Sequence, residues 1–140
     1  MANPGPAVTS SAHPQLVGSN QALRLLAVYQ GVNANATGDT VLPIINSTSY
    51  SVKNVVFTNA SISLTTAAAG LFTAPAAGGT GIVANAALSG LSASTVVSER
   101  TVATTAAQTA QNLYVNVATA QGAAETFDVY VYGYDLTQQS

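Results

Sequence analysis

Two-residue alternation between apolar and polar side chains points to β structure in this chain. The alternation is regular near the C-terminus, where Phe127, Val129 and Val131 share one parity. The other parity holds Thr126, Asp128, Tyr130, Tyr132 and Tyr134. Because successive side chains of a strand point to opposite faces, this pattern predicts a strand with the tyrosines on one face and the valines on the other.

A second alternating segment covers residues 50–64. One parity carries the apolar residues Tyr50, Val52, Val56, Ile62 and Leu64, and the other is mostly polar but includes Val55 and Phe57. This pattern predicts a strand with one buried face and one partly covered face. The segment is longer than an ordinary strand, so we expect a bend near Asn59.

The other strand-like segments are short and are separated by Gly, Pro, Asn, Ser and Thr. They are residues 23–29, 40–45, 82–91, the neighbourhood of 99–100, and 113–117. Residues 23–29 and 82–91 also fit a short helix, and Pro43 indicates an edge strand or a bulge. Residues 31–39 and 67–81 have loop composition. No strand–helix–strand rhythm is present, so we predict an all-β fold for residues 21–140. The expected fold is an antiparallel β-sandwich or jelly roll of about seven or eight strands.

Residues 1–20 are predicted to precede this single domain as an extended arm. Pro4, Pro6 and Pro14 fix backbone angles and remove amide donors, and no apolar periodicity is present. The arm is either a disordered tail or a segment that docks on a neighbouring subunit. In the second case Pro4, Pro6, Pro14 and Leu16 are candidate interface residues.

Scarcity of charge excludes several functions. Only 6% of the residues are charged, with three basic and five acidic side chains. Binding to nucleic acid or to an anionic membrane needs several Lys or Arg residues, so neither partner is expected. The chain has no cysteine, and its first residues do not resemble a signal peptide. Solubility usually comes from charged residues spread over the surface, and this chain has few of them. We therefore expect much of the surface to be covered by identical subunits or a larger assembly.

No group of residues in the sequence indicates catalysis. His13 is the single histidine and belongs to the arm, whereas a catalytic triad or zinc site needs histidine in a packed site. Gly79–Ala84 matches a dinucleotide-binding G-x-G-x-x-A pattern but lacks the preceding strand and is better interpreted as a loop entering a strand. Lys53, the single lysine, is interpreted as a solvated edge residue. A carboxylate pair such as Asp39 with Asp135 stays open as a glycosidase candidate. We predict no enzyme activity, cofactor or metal.

The tyrosine stripe formed by Tyr130, Tyr132 and Tyr134 is the candidate interaction surface. Tyrosine gives a large contact area at low entropic cost and is enriched at interfaces. The stripe could instead pack within the sandwich, or against Tyr50 or Tyr114 across strands. Stacking on carbohydrate is a third interpretation.

Two segments resemble small virion proteins encoded by tailed phages and prophages. They are VVFTNASISLTTAAAGLFT at residues 55–73 and AQGAAETFDVYVYGYDL at residues 120–136, about a quarter of the chain. The resemblance implies a head decoration (cement) protein, a β-sandwich or jelly-roll homotrimer that binds the major capsid protein on the virion surface. It carries over no functional residues. The alternatives are a receptor- or glycan-binding module of a phage fibre or tail, and a small glycosidase.

Overall fold

The computed structural model describes residues 23–137, which form eight strands in two four-stranded antiparallel sheets. The strands are β1 Arg24–Asn33, β2 Gly38–Pro43, β3 Tyr50–Thr58, β4 Ala68–Ala74, β5 Gly78–Ala87, β6 Val97–Arg100, β7 Asn112–Thr119 and β8 Thr126–Asp135. The predicted all-β sandwich is therefore confirmed. The arm residues Pro4, Pro6, Pro14 and Leu16 lie outside the described part of the chain. Within that part, no helix is long and apolar enough to span a membrane.

The strands follow the order of a jelly roll. Sheet I has the order β1-β8-β3-β6 and sheet II the order β2-β7-β4-β5. The pairs β1–β8, β2–β7, β3–β6 and β4–β5 arise when one long hairpin is rolled into two sheets. The core lies between the sheets and includes the buried, tilted ring pair of Phe57 and Phe127, whose centroids are 5.2 Å apart. Burial of these apolar faces is the main stabilising contribution.

A β-bulge in β3 changes which residues face the core. Val52 pairs with Gly133 and Asn54 with Tyr132, so Lys53 is an extra residue in this strand. Tyr50 and Val52 are buried before the bulge, whereas Val55 and Phe57 are buried after it. The expectation of one apolar face running through Tyr50, Val52 and Val56 was therefore wrong. Strand β3 lies between β8 and β6, but its pairing with β6 begins only at Val55, so the exposed Lys53 has no paired strand on that side.

Residues 67–81, predicted to be a loop, instead form β4, a tight turn and the start of β5. The many alanines and glycines of this segment show no alternation between apolar and polar side chains. Gly70 is required because β4 and β5 approach each other closely. A Cβ at Gly70 would lie 2.6 Å from the Val83 carbonyl oxygen. Residues 31–33, also predicted to be loop, continue β1, and residues 82–87 continue β5 as strand rather than helix.

Two other expectations about strand ends are confirmed. β2, which carries Pro43, is an edge strand of sheet II. β3 ends immediately before Asn59, whose φ of 57° turns the chain away from the sheet.

Candidate functional site

The tyrosine stripe lies on the outer face of sheet I. Phe127, Val129 and Val131 are fully buried in the core, so the alternate residues of β8 point away from it. Tyr130, Tyr132 and Tyr134 are each half-buried on that outer face. They are not part of the core between the sheets. The interpretation that the stripe packs within the sandwich is therefore wrong.

The neighbours of the stripe are mostly uncharged. Across the sheet, Tyr130 pairs with Val28 and Val56, Tyr132 with Leu25 and Asn54, and Tyr134 with Ser51. We call this surface, with its three tyrosines and the half-buried side chains Leu25, Val28 and Val56, the tyrosine face. Tyr50 is buried in the core and Tyr114 lies on sheet II, so neither packs against the stripe.

The tyrosine hydroxyls of the stripe form few hydrogen bonds within the described part of the chain. The Gln30 side-chain amide donates to the Tyr130 hydroxyl at 3.0 Å. Among residues 23–137, no group forms a hydrogen bond with the hydroxyls of Tyr132 or Tyr134. The tyrosine face can therefore offer a partner its aromatic contact area, together with two hydroxyl groups that have no partner among residues 23–137.

Asp135 has a structural role at one end of the sandwich. Its carboxylate accepts hydrogen bonds from the Ser47 hydroxyl at 2.8 Å and the Thr137 amide at 2.9 Å. Its second oxygen lies 3.8 Å from the Arg24 guanidinium. Burial alone would raise the pKa of Asp135, but these hydrogen bonds and the Arg24 charge together lower it below its ordinary value.

Asp128 and Glu125 hold backbone segments near the opposite end. Asp128 accepts a hydrogen bond from the Gly31 amide at 2.8 Å and from the Asn59 side chain at 3.1 Å. Glu125 Oε1 accepts from the Ser61 hydroxyl at 3.1 Å and from the Ile62 amide. The other oxygen of Glu125 is buried without a hydrogen-bond partner among the described residues.

Asp39 and Asp135, the carboxylate pair considered from sequence, lie on different sheets and share no partner. Asp39 is on the outer face of sheet II, where it accepts from the Asn116 side chain at 2.9 Å and the Ala76 amide at 2.8 Å. The second bond joins the β4–β5 turn to the edge strand β2. Asp39 therefore tethers a hairpin, and the structure does not bring these two acids together across a sugar cleft.

The glycine pattern at Gly79–Ala84 lies inside strand β5. A dinucleotide fold would need these glycines at the start of a helix, and no helix follows them in the described chain. The segment instead forms one arm of the β4–β5 hairpin. His13 lies outside the described residues, and those residues contain no cluster of three His, Asp or Glu side chains suited to a metal.

A polar cleft borders the tyrosine face and was missed in the sequence. It has a volume of about 470 Å³ and is lined by Lys53, Asn54, Glu99, Arg100, Thr101, Val102 and Thr105. Glu99 pairs with Val56, which in turn pairs with Tyr130, and Asn54 pairs with Tyr132. Residues 53 and 100 are distant in sequence, so only the pairing of β3 with β6 reveals that they line one site.

Arg100 lies at the border between this cleft and the core. Its guanidinium carbon lies 5.5 Å from the centre of the Phe57 ring. It donates to the Ser98 hydroxyl at 3.1 Å and to the Ala87 carbonyl at 3.2 Å. The second bond connects Arg100 of sheet I to the last residue of β5, the edge strand of sheet II. Burial lowers the pKa of Arg100 from its ordinary value.

No protein-family model matches the chain, and neither the search of curated proteins nor the search of solved structures found a significant match.

Proposed function

We propose that this chain is a capsid decoration protein of a tailed phage. In this proposal it assembles as a homotrimer, binds the major capsid protein and stabilises the head as part of the virion surface. The support is the resemblance of residues 55–73 and 120–136 to such proteins, together with the tyrosine face. Jelly rolls occur in viral capsid domains and in lectins, so the fold is compatible with the proposal but does not select it.

The observation that carries the proposal is the row of tyrosines on the outer face of sheet I, whose cross-strand neighbours are uncharged. Tyr130, Tyr132 and Tyr134 form a continuous aromatic row there, flanked by aliphatic side chains. Interface centres are depleted in charge and enriched in tyrosine. An outer sheet face of this composition is favoured as a contact surface, because burial against a partner removes apolar area from water.

The acidic residues offer little support for an enzyme. Asp39, Asp128 and Asp135 are each engaged with backbone or side-chain donors that fix turns and strand ends. A hydrolase would need two carboxyl groups facing one bound substrate. We therefore propose that the function is binding and assembly without catalysis.

Cosedimentation with capsids tests this proposal. The capsids would be assembled from the major capsid protein of the genome that encodes this chain, without their own decoration protein. We expect saturable binding of wild-type chain and a loss of at least about tenfold in affinity for Tyr132→Ser, since an interface tyrosine contributes about 1–2 kcal/mol or more. Tyr114→Ser changes a half-buried tyrosine on sheet II and is the matched control, with near wild-type affinity. Absence of binding by the wild-type chain would refute the proposal.

The alternative is a receptor- or glycan-binding module of a fibre or tail. One observation favours it: the amide of Gln30 and the hydroxyl of Tyr130 place hydrogen-bonding groups beside the aromatic row. Such groups combined with aromatic rings can contact the polar and apolar faces of a sugar. Glycan-array binding that is lost in Tyr132→Ser, together with no capsid binding, would support this alternative.

A further inference from the structure

The described part of the chain begins at the open edge of sheet I, beside the tyrosine face. β1 is an edge strand, and its first residue, Arg24, pairs with Gly133, which has a tyrosine on either side in the sequence. The next residue, Leu25, pairs with Tyr132 and belongs to the face itself. Residues 1–22, which include the predicted arm, therefore join the domain next to the tyrosine row and at the outermost strand of the sheet.

Large apolar side chains are exposed around the start of β1. They are Leu23, Ile45 and Leu136. The three lie near one another, because Arg24 donates to the Ile45 carbonyl and forms an ion pair with Asp135, the residue before Leu136. Covering this apolar area together with the tyrosine face would remove it from water, so an uncharged partner is favoured here.

The composition of residues 1–22 matches this surface. These residues contain no Asp, Glu, Lys or Arg, and they include Pro4, Pro6, Pro14 and Leu16. Extended proline-containing segments bind surfaces lined with aromatic rings, because proline restricts the segment before binding and so lowers the entropic cost. The backbone carbonyls of such a segment are free to accept hydrogen bonds. The two hydroxyls of the tyrosine row that have no partner in the described chain are suitable donors.

Symmetry favours a second copy of the chain as the source of this segment. A homotrimer needs a contact between two different patches, because contact between two copies of one patch has twofold symmetry and gives a dimer. The tyrosine face is one patch, and residues 1–22 of the next subunit supply a different one. The same residues folded onto their own subunit would join no subunits. Their reach is sufficient, since 22 extended residues span up to about 70 Å, about twice the width of a domain of this size.

We propose that residues 1–22 of each subunit lie across the tyrosine face of the next subunit in a threefold ring. This inference rests on the proposed function, because that function supplies the homotrimer. Each subunit donates one segment and receives one, so all three faces are covered when the ring closes. Loss of a tyrosine then weakens capsid binding by separating the subunits that hold the capsid together.

Photocrosslinking of the full chain tests this proposal. p-Benzoylphenylalanine in place of Tyr132 puts a photoreactive aromatic group on the outer face. Trypsin cleaves after the three basic residues of the chain, so residues 1–24 and 101–140 become separate peptides. We expect a crosslinked dimer of about 28 kDa, twice the chain mass of 14.0 kDa, in which peptide 101–140 is joined to peptide 1–24.

Two further positions control this experiment. The same group in place of Tyr134 repeats the measurement on the row, so a folding defect at one position does not decide the result. The same group in place of Tyr114, a half-buried tyrosine on sheet II, should not join peptide 1–24. Absence of peptide 1–24 from the crosslinks of both row positions, or an equal yield from Tyr114, would overturn the proposal. Crosslinks to peptide 1–24 found only in the monomer would also overturn it, because the segment would then lie on its own subunit.

Capsid binding separates this inference from the proposed function. If the wild-type chain binds capsids but the tyrosine row does not crosslink to residues 1–24 of another subunit, the inference fails and the decoration function stands. If that crosslink forms but the wild-type chain does not bind capsids, the decoration function fails and the exchange of segments between subunits stands.

Discussion

Gly133 should be intolerant of even one added methyl group. It lies between Tyr132 and Tyr134 in the central strand β8, on the side that faces the core. A Cβ placed at Gly133 would lie 2.0 Å from the Ser51 carbonyl oxygen and 2.7 Å from Leu26 Cδ1. Real Cβ atoms do not approach other heavy atoms this closely, so the backbone of β3 would have to move.

The expected cost of Gly133→Ala follows from that geometry. Overpacking of a core typically costs about 1–3 kcal/mol, and here the obstacle is a strand backbone, so we expect about 3 kcal/mol. With a urea dependence of about 1.5 kcal/mol/M, the unfolding midpoint should fall by about 2 M. Gly90→Ala is the matched control, because a Cβ there has nothing within 4 Å. Its midpoint should stay within about 0.3 M of wild type.

Urea unfolding followed by circular dichroism, at one fixed protein concentration, measures this difference. The concentration is fixed because association of subunits would itself shift the midpoint. If Gly133→Ala unfolds at the same urea concentration as Gly90→Ala, the close approach of β8 to β3 is wrong, and with it the register that places the tyrosines on one outer face.

Three other predictions concern single sites. Ala76 and Ala77 have φ of 56° and 57° in a tight turn, so the double change Ala76→Asn with Ala77→Gly should raise the unfolding free energy by about 1 kcal/mol; a lower melting temperature would contradict this. The pKa of Asp135 is lower folded than unfolded, so its stabilisation is complete above the ordinary value of 3.8 and is lost as pH falls through the folded value. Urea midpoints measured against pH should therefore fall more steeply in acid for wild type than for Asp135→Asn, and parallel curves would refute this. Burial raises the pKa of Tyr50 to about 12, so the stabilisation it gives is complete below its ordinary value of 10.0 and is lost as pH rises through 12. Ultraviolet titrations of wild type and Tyr50→Phe should differ by one phenolate that forms near pH 12, and a difference near pH 10 would contradict the buried site.

The strands predicted best from sequence are those with one covered and one solvated face. β7 and β8 alternate because the core selects apolar residues at every second position, and that signal is local. β4 and β5 carry small residues, because Gly70 and its neighbours allow the strands to pack closely. Small residues show no alternation between apolar and polar side chains, so these strands were not predicted. The bulge at Lys53 was not predictable, because it depends on the register with β8 and not on β3 alone.

The tyrosine face was predictable as a set of residues but not in its surroundings. Parity alone places Tyr130, Tyr132 and Tyr134 on one side of a strand. The cleft needs the pairing of β3 with β6, which joins Lys53 to Arg100 over a long sequence separation. Similarly, the carboxylates could be identified in the sequence, but their hydrogen-bond partners come from loops that only the fold brings together.

The solution mass of the purified full chain, measured by light scattering after size exclusion, tests the central claim that this sparsely charged surface is covered in an assembly. The account predicts a homotrimer of about 42 kDa, three times the chain mass of 14.0 kDa. If residues 1–20 dock on a neighbouring subunit, their removal should dissociate the trimer. A soluble monomer both with and without residues 1–20, with a mass of 14.0 kDa for the full chain, would contradict the account.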